Sequence, residues 1–357
     1  MANLFQRSIA IVLQNQTPSG AYMASPNFPT YHYCWFRDGS FIAYAMNLVG
    51  QHASAERFHN WAASAINART AGVQRAVAKA ADGEPLTGAD YLHTRYSPDG
   101  SEANGEDWPN FQLDGFGAWL WALGEHQKLS GRALPDTWQQ AAQLVADYLA
   151  ALWQLPCYDC WEEFGDRVHP YTLAAIYGGL RAQGQVARAN HNPTLDAIRQ
   201  FLSRQAIADG HLVKSVGLTA VDSSLLGLAV PYGVLSPGDP IMVSTVERIE
   251  HTLRRGGGLH RYADDTYYGG GEWVLLTAWL GWYYVSVGEW QKAEAALRWI
   301  EAQSDNDLQL PEQVPQTLND ETFYAPWRRR WGDIAKPLLW SHAKYLILHE
   351  SLREFQK

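Results

Sequence analysis

Hydrophobic positions recur along this chain at helical rather than strand spacing. Between residues 141 and 153, Ala141, Leu144, Val145, Tyr148, Leu149 and Leu152 fall on one face of a helix and leave the other face polar. Val274 to Val287, by contrast, is apolar on nearly every side, as in a helix enclosed all round. Together the two kinds predict two layers, with inner helices surrounded by outer ones. About twelve helices are expected, near 3–14, 38–49, 53–79, 114–129, 137–153, 170–183, 194–206, 221–229, 241–254, 271–287, 290–303 and 334–353.

The connections alternate in length. Gly50, Gly184 and Gly288 mark tight turns within pairs, whereas longer segments follow the first, third, fifth, seventh, ninth and eleventh helices. These long segments hold six polar and aromatic clusters: Tyr33 to Asp38, Trp108 to Asp114, Asp159 to Glu163, Gly217 to Asp222, Leu259 to Tyr268, and Leu310 to Gln313. One cluster per helical pair places all six at one end of the molecule. The expected fold class is all-α, an (α/α)6 barrel whose six loops converge on one mouth. No boundary interrupts the pattern, so residues 1–357 are expected to form a single domain, with Gly256-Gly257-Gly258 a flexible lip rather than a linker.

Composition adds to this picture. In 357 residues, 46% hydrophobic and 18% charged, there is enough material for a large core. The net charge of −9 argues against a nucleic-acid partner, which would need a basic face. The amino-terminal residues carry no basic leader or cleavage site, and no apolar run reaches the ~18 residues of a membrane span. A cytoplasmic protein with no membrane partner is expected, acting as a monomer. Three cysteines are too few for a disulfide framework, and Cys157 and Cys160 lack the further ligands a zinc site needs.

The 16 tryptophans are the unusual count. Many must pack the core, but Trp35, Trp108, Trp161, Trp327 and Trp331 lie beside Gly, Pro, Asp or Arg in segments that read as loops. Rings in loops suit a sugar platform, because the C–H face of a sugar stacks on an aromatic while its hydroxyls seek charged partners.

In Trp161-Glu162-Glu163-Phe164, aromatic neighbours would strip water from a carboxylate and raise its pKa, as a general acid requires. Adjacent glutamates are ordinarily a solvated helix start. Glu312, after Leu310-Pro311, is ordinary by itself; paired with Glu162 it could stay ionised and deprotonate a water, which is the inverting arrangement of glycoside hydrolysis. Arg37-Asp38 and Arg261 could clamp sugar hydroxyls, or equally serve as structural ion pairs, with Asp38 capping the helix that follows.

These clusters, in this order, resemble the glucoamylase family, glycoside hydrolase family fifteen. The matching motifs are Trp35-Phe-Arg37-Asp38, Trp108 with Gln112-Leu-Asp114-Gly115, Trp161-Glu162-Glu163, Arg261-Tyr262-Ala-Asp-Asp265-Thr266-Tyr267-Tyr268-Gly-Gly270, Glu312-Gln313 and Trp340-Ser341-His342. The resemblance implies an inverting, exo-acting α-glucosidase that needs no cofactor or metal. It implies Glu162 as general acid and Glu312 as general base. Arg37, Asp38 and Arg261 would hold the terminal glucose, Trp108 would cover it, and Glu163 would reach toward the next sugar. Trp35, Trp161 and Tyr262 complete the expected substrate-binding set.

Two features depart from the family pattern: Cys160 stands where Leu is usual, and Trp327-Arg-Arg-Arg-Trp331 matches no motif, reading as a solvated basic loop before a wall of the second-sugar site. Asp222 matches none either and reads as an N-cap. With no room for a starch-binding module, the expected small-molecule partner is a short oligosaccharide, α-1,6-linked like isomaltose or α-1,4-linked like maltose. The rivals are a trehalase or phosphorylase on the same barrel, and a catalytically silent sugar-binding protein.

Overall fold

The computed structural model describes residues 3–103, 108–187 and 189–355. Thirteen α-helices follow in order among them: α1 (Leu4–Gln14), α2 (Phe36–Leu48), α3 (His52–Asn67), α4 (Thr70–Asp82), α5 (Asp114–Ser130), α6 (Asp136–Leu152), α7 (Pro170–Ala187), α8 (Asn192–Gln205), α9 (Pro240–Leu253), α10 (Val274–Ser286), α11 (Trp290–Ala302), α12 (Tyr324–Trp331) and α13 (Leu339–Phe355).

Packing closes an inner ring. Helix α2 lies on α5, α5 on α7, α7 on a 3-10 helix at Ser223–Leu228, that segment on α10, α10 on α13, and α13 back on α2. The other elements form the outer layer: α1 on α13, α3 and α4 beside α6, α6 on α5 and α7, α8 on α7, α9 on the 3-10 segment, and α11 on α10 and α13. The chain is therefore an (α/α)6 barrel, and its layers follow the hydrophobic pattern. Helix α10 buries all but two of its thirteen positions, whereas outer α6 buries one face, including Ala141, Val145, Tyr148 and Leu152.

The tightest seam of the ring is α5 against α7. A Cβ on Gly117 would sit 2.4 Å from the Ala175 carbonyl, and one on Gly179 would sit 2.4 Å from the Gly117 oxygen. Only glycine lets these two backbones approach so closely.

Three expected elements differ. The helix expected over 53–79 is two, because Arg69 leaves helical geometry (φ −112°, ψ 16°) as its side chain reaches to Glu102 (2.9 Å), the Gly100 carbonyl (3.1 Å) and the Tyr96 ring. The stretch 221–229 winds only as a 3-10 helix, with Asp222 accepting from the Ser224 amide at 2.8 Å as the expected N-cap. Residues 324–331, expected as a loop, form α12.

Short strands fasten the mouth. Cys34–Trp35 pairs with Arg95–Tyr96, and a four-stranded antiparallel sheet runs in the order 254–255, 258–259, 272–273, 313–314. The latter sets Trp273 opposite Gln313, one residue after Glu312.

Candidate active site

A cavity of about 420 Å³ opens at the end of the barrel where the inner helices begin. Its wall includes Trp35, Arg37, Asp38, Trp108, Trp161, Glu162, Glu163, Arg261 and Glu312, nine of the ten residues singled out from the sequence. The tenth, Tyr262, does not line it; its hydroxyl donates to Glu163 Oε2 at 2.6 Å. Five interhelical connections thus deliver side chains to one space.

Arg37 and Asp38 occupy the first turn of α2, and both are buried. The Arg37 guanidinium donates to Gln112 Oε1 and Asp114 Oδ2, each at 3.1 Å, and lies 3.9 Å from Glu162. Burial works against its charge, but Asp114, Asp38 and Glu162 overcome it and hold Arg37 firmly protonated. Asp38 feels burial most; although Arg37 pulls it down, its carboxyl is pushed up to about 7. The two side chains pair at 3.5 Å, and Asp38 stands inside the first turn of α2 rather than at its N-cap, which is Trp35.

Glu162 sits in a tight turn between α6 and α7 with a left-handed backbone (φ +68°), a conformation that disfavours side-chain-bearing residues. Polar contacts hold this turn. Asp159 Oδ1 accepts from the amides of Trp161 (2.9 Å) and Glu163 (3.0 Å), and its other oxygen accepts from Lys214 Nζ (3.0 Å). Lys214 also donates to Asp222 (2.7 Å), which accepts the Trp161 indole N–H at 3.0 Å. Burial tends to raise Asp222, yet Lys214 overrides it and leaves the carboxylate below its ordinary range. Asp222 therefore does more than cap: together with Asp159 and Lys214 it fixes the ring beside Glu162. Lys214 was not singled out from sequence; it joins Asp222, eight residues on, to Asp159, 55 residues back.

The Glu162 carboxyl accepts from the Trp35 indole. Burial raises its pKa, opposed by Arg37, the Trp35 N–H and Arg95. Glu163 is raised by burial too, against Arg261 at 3.6 Å and the Tyr262 hydroxyl. Arg261 donates from Nε and Nη2 to Asp265 and lies among the Trp161, Tyr267 and Trp273 rings. Trp108 stands edge-on to Trp35, with Arg95 3.6 Å above its ring.

Glu312 is nearly enclosed, 3% exposed. Its amide donates to the Ala335 carbonyl (2.9 Å) and its own carbonyl accepts from Val274 (3.3 Å), so the backbone is clamped on both sides. Oε1 accepts from the Tyr31 hydroxyl at 3.0 Å, while Oε2 is buried without a hydrogen-bond partner. Burial pushes its pKa up to about 8, against Tyr31 and Arg261, which favour the ionised form. The expectation was a perturbed Glu162 and an ordinary Glu312; burial raises both.

Tyr31, Tyr267, Trp273 and Trp340 also line the cavity. Tyr31 had no signal in the sequence beyond proximity to the Tyr33 to Asp38 cluster. Trp327, Arg330 and Trp331 line it as well, which corrects the solvated-loop reading of that run. Cys160 touches the cavity, but all three cysteines are unpaired and buried. Among the described residues no group of three or more His, Cys, Asp or Glu could hold a metal ion, and no helix is long and apolar enough to cross a membrane.

Comparison with known proteins extends this geometry. Residues 1–307 match the profile of glycosyl hydrolases family 15, with Glu312 just beyond the matched stretch. An isomaltose glucohydrolase of Kribbella flavida is 42% identical over 98% of this chain and 92% of its own length. A solved wild-type glycosidase superposes with a TM-score of 0.93 at 42% identity, covering 98% of this chain and 96% of that one. A variant glycosidase solved in complex with glucose superposes equally, at 41% identity and the same coverage. The motifs and the ring of helices agree with these matches: the chain belongs to glycosyl hydrolases family 15 and is a glycoside hydrolase.

Proposed function

We propose that this enzyme is an exo-acting, inverting α-glucosidase that releases β-glucose from the non-reducing end of short oligosaccharides, with isomaltose as the leading substrate. The observation that carries the reading is the entry of Glu162 and Glu312 into one cavity from different interhelical connections, with Arg37, Asp38 and Arg261 lining the same space. Similarity to an isomaltose glucohydrolase supports the α-1,6 linkage.

In this mechanism the reactive form has Glu162 protonated and Glu312 ionised. Glu162 passes its proton to the glycosidic oxygen as the bond to C1 breaks. Glu312, through its free Oε2, takes a proton from a water that attacks C1 from the opposite face, inverting the anomeric centre. Arg37, Asp38 and Arg261 hold hydroxyls of the terminal glucose, Trp108 covers it, and Glu163 reaches the next sugar. The small cavity, at the low end of the ~300–1,000 Å³ range of ligand pockets, suits a chain end rather than a chain middle. Residues 1–357 act as one catalytic domain, monomeric and cytoplasmic; three unpaired cysteines fit a reducing compartment.

Proton NMR of the first product from isomaltose, maltose, trehalose and dextran tests linkage and stereochemistry together. β-Glucose should appear first, and fastest from isomaltose. Initial α-glucose refutes inversion, preference for trehalose supports the trehalase rival, and a requirement for phosphate supports a phosphorylase.

A further inference from the structure

Helix α12 is a part of the cavity wall that the mechanism above does not use. Trp327, Arg330 and Trp331, spaced three and four apart, share one helical face and turn it to the cavity, while Arg328 turns away to pair with Asp333. The helix is fastened on the Glu312 side. The Trp327 ring meets the Tyr267 ring edge-on at 5.0 Å and runs parallel to Tyr268 at 6.2 Å, and the Tyr268 hydroxyl donates to the Gly332 carbonyl at 3.0 Å.

The cavity is graded from floor to rim. Glu312, Arg37 and Asp38 are buried at the floor; Trp327 and Trp331 are half-buried, and Arg330 is exposed. The Arg330 guanidinium lies 4.9 Å from the Trp331 ring centre and 5.7 Å from that of Trp327, and among the described residues it has no carboxylate partner. An arginine laid across aromatic faces is pre-ordered, with its N–H donors free for a ligand. Two indoles and a planar donor beside the floor match the needs of a second sugar, whose C–H face stacks and whose hydroxyls accept.

We infer that Trp327, Arg330 and Trp331 form the site of the departing sugar and, as a rigid helical rim, select disaccharides over longer chains. This rests on the α-glucosidase reading proposed above. The floor takes the terminal glucose, and the rim is what a one-sugar leaving group can reach.

The test compares Trp331→Ala and Arg330→Ala with the unaltered enzyme on α-glucosyl fluoride, which has no second sugar, on isomaltose and on isomaltotriose. Both changes remove side chains that are not buried, so the fold tolerates them. The ratio of kcat/KM for isomaltose to that for α-glucosyl fluoride should fall about tenfold, as the loss of a Trp or Arg anchor does in other interfaces. The preference for isomaltose over isomaltotriose should shrink in Trp331→Ala. Ratios within about twofold of the unaltered enzyme overturn the rim's role. No hydrolysis of any α-glucoside by the unaltered enzyme overturns the α-glucosidase reading, and the rim's role with it.

Discussion

The turn that carries Glu162 is held by ions, whereas the segment that carries Glu312 is held by backbone and neutral hydroxyls. On the acid side, Lys214 ties Asp159 to Asp222, Asp159 grips two amides of the turn, and Asp222 grips the Trp161 indole. The Glu162 carboxyl itself faces Arg37 and an indole N–H and keeps 15% of its side-chain surface open. On the base side, main-chain bonds to Ala335 and Val274 fix the segment, and the carboxyl meets the Tyr31 hydroxyl in a dry floor. Charge near Glu162 offsets the cost of ionising it, while near Glu312 burial is opposed mainly by a phenol and the more distant Arg261. One site therefore builds a strained backbone with strong electrostatic support, and the other a relaxed backbone with weak support.

The largest expected effect comes from removing the two carboxyls in turn. Glu162→Gln and Glu312→Gln should each lower kcat on isomaltose by roughly 10²–10⁴-fold, the usual scale of acid–base catalysis. The two variants should separate on α-glucosyl fluoride, whose leaving group departs without a proton. Glu162→Gln should recover much of its rate there and Glu312→Gln should not, since water still has to be deprotonated. Equal recovery in both would reverse the contrast between acid and base.

The sequence made the layers of this barrel legible but not the supports of its site. Periodicity distinguished α6, apolar on one face, from α10, apolar all round, because burial leaves that mark residue by residue. Arg69 breaks α3 from α4 through contacts with Glu102 and Gly100, and no Gly or Pro announces it. Helix α12 spans only eight residues and holds Pro326 and three arginines, so its short Tyr324, Trp327 and Trp331 stripe reads as loop in the sequence. Motifs brought out Glu162, Glu312 and the arginines. Lys214 links Asp222, eight residues on, to Asp159, 55 residues back, and Tyr31 meets Glu312 across most of the chain, so the sequence near each does not show the task. The raised state of Glu312 depends on how much water reaches it, which only packing decides.

A second way to break the comparison is to remove the ionic support alone. Lys214→Met leaves Asp159 and Asp222 buried without their cation, and breaking a buried pair from one side costs about 3–5 kcal/mol. Chemical denaturation should show a loss of that order near neutral pH. Neutralising the orphans as well, in Lys214→Met with Asp159→Asn and Asp222→Asn, should restore part of the stability, because the amides keep most of the hydrogen bonds without the charge. A single variant as stable as the parent would remove the ionic anchor from the account.

The smallest effect tests the weak support of the base. Tyr31→Phe deletes the hydroxyl that donates to Glu312 Oε1 and leaves the ring packing in place. The donor favours the ionised carboxylate, so its loss raises the Glu312 pKa further above the ordinary range. A charge-assisted hydrogen bond contributes about 1.5–3 kcal/mol, or about one to two pKa units. At pH values below the pKa of both glutamates, the reactive form is populated in proportion to the ionised fraction of Glu312. There kcat/KM should fall about ten- to a hundredfold in the variant. At pH values above both, Glu312 is ionised in either enzyme and only the protonation of Glu162 limits the rate, so the deficit should disappear. A deficit that persists unchanged into alkaline solution would mean that Tyr31 acts in the chemical step rather than by setting the charge of Glu312. A pH profile of kcat/KM for isomaltose, taken across both limbs, decides between them.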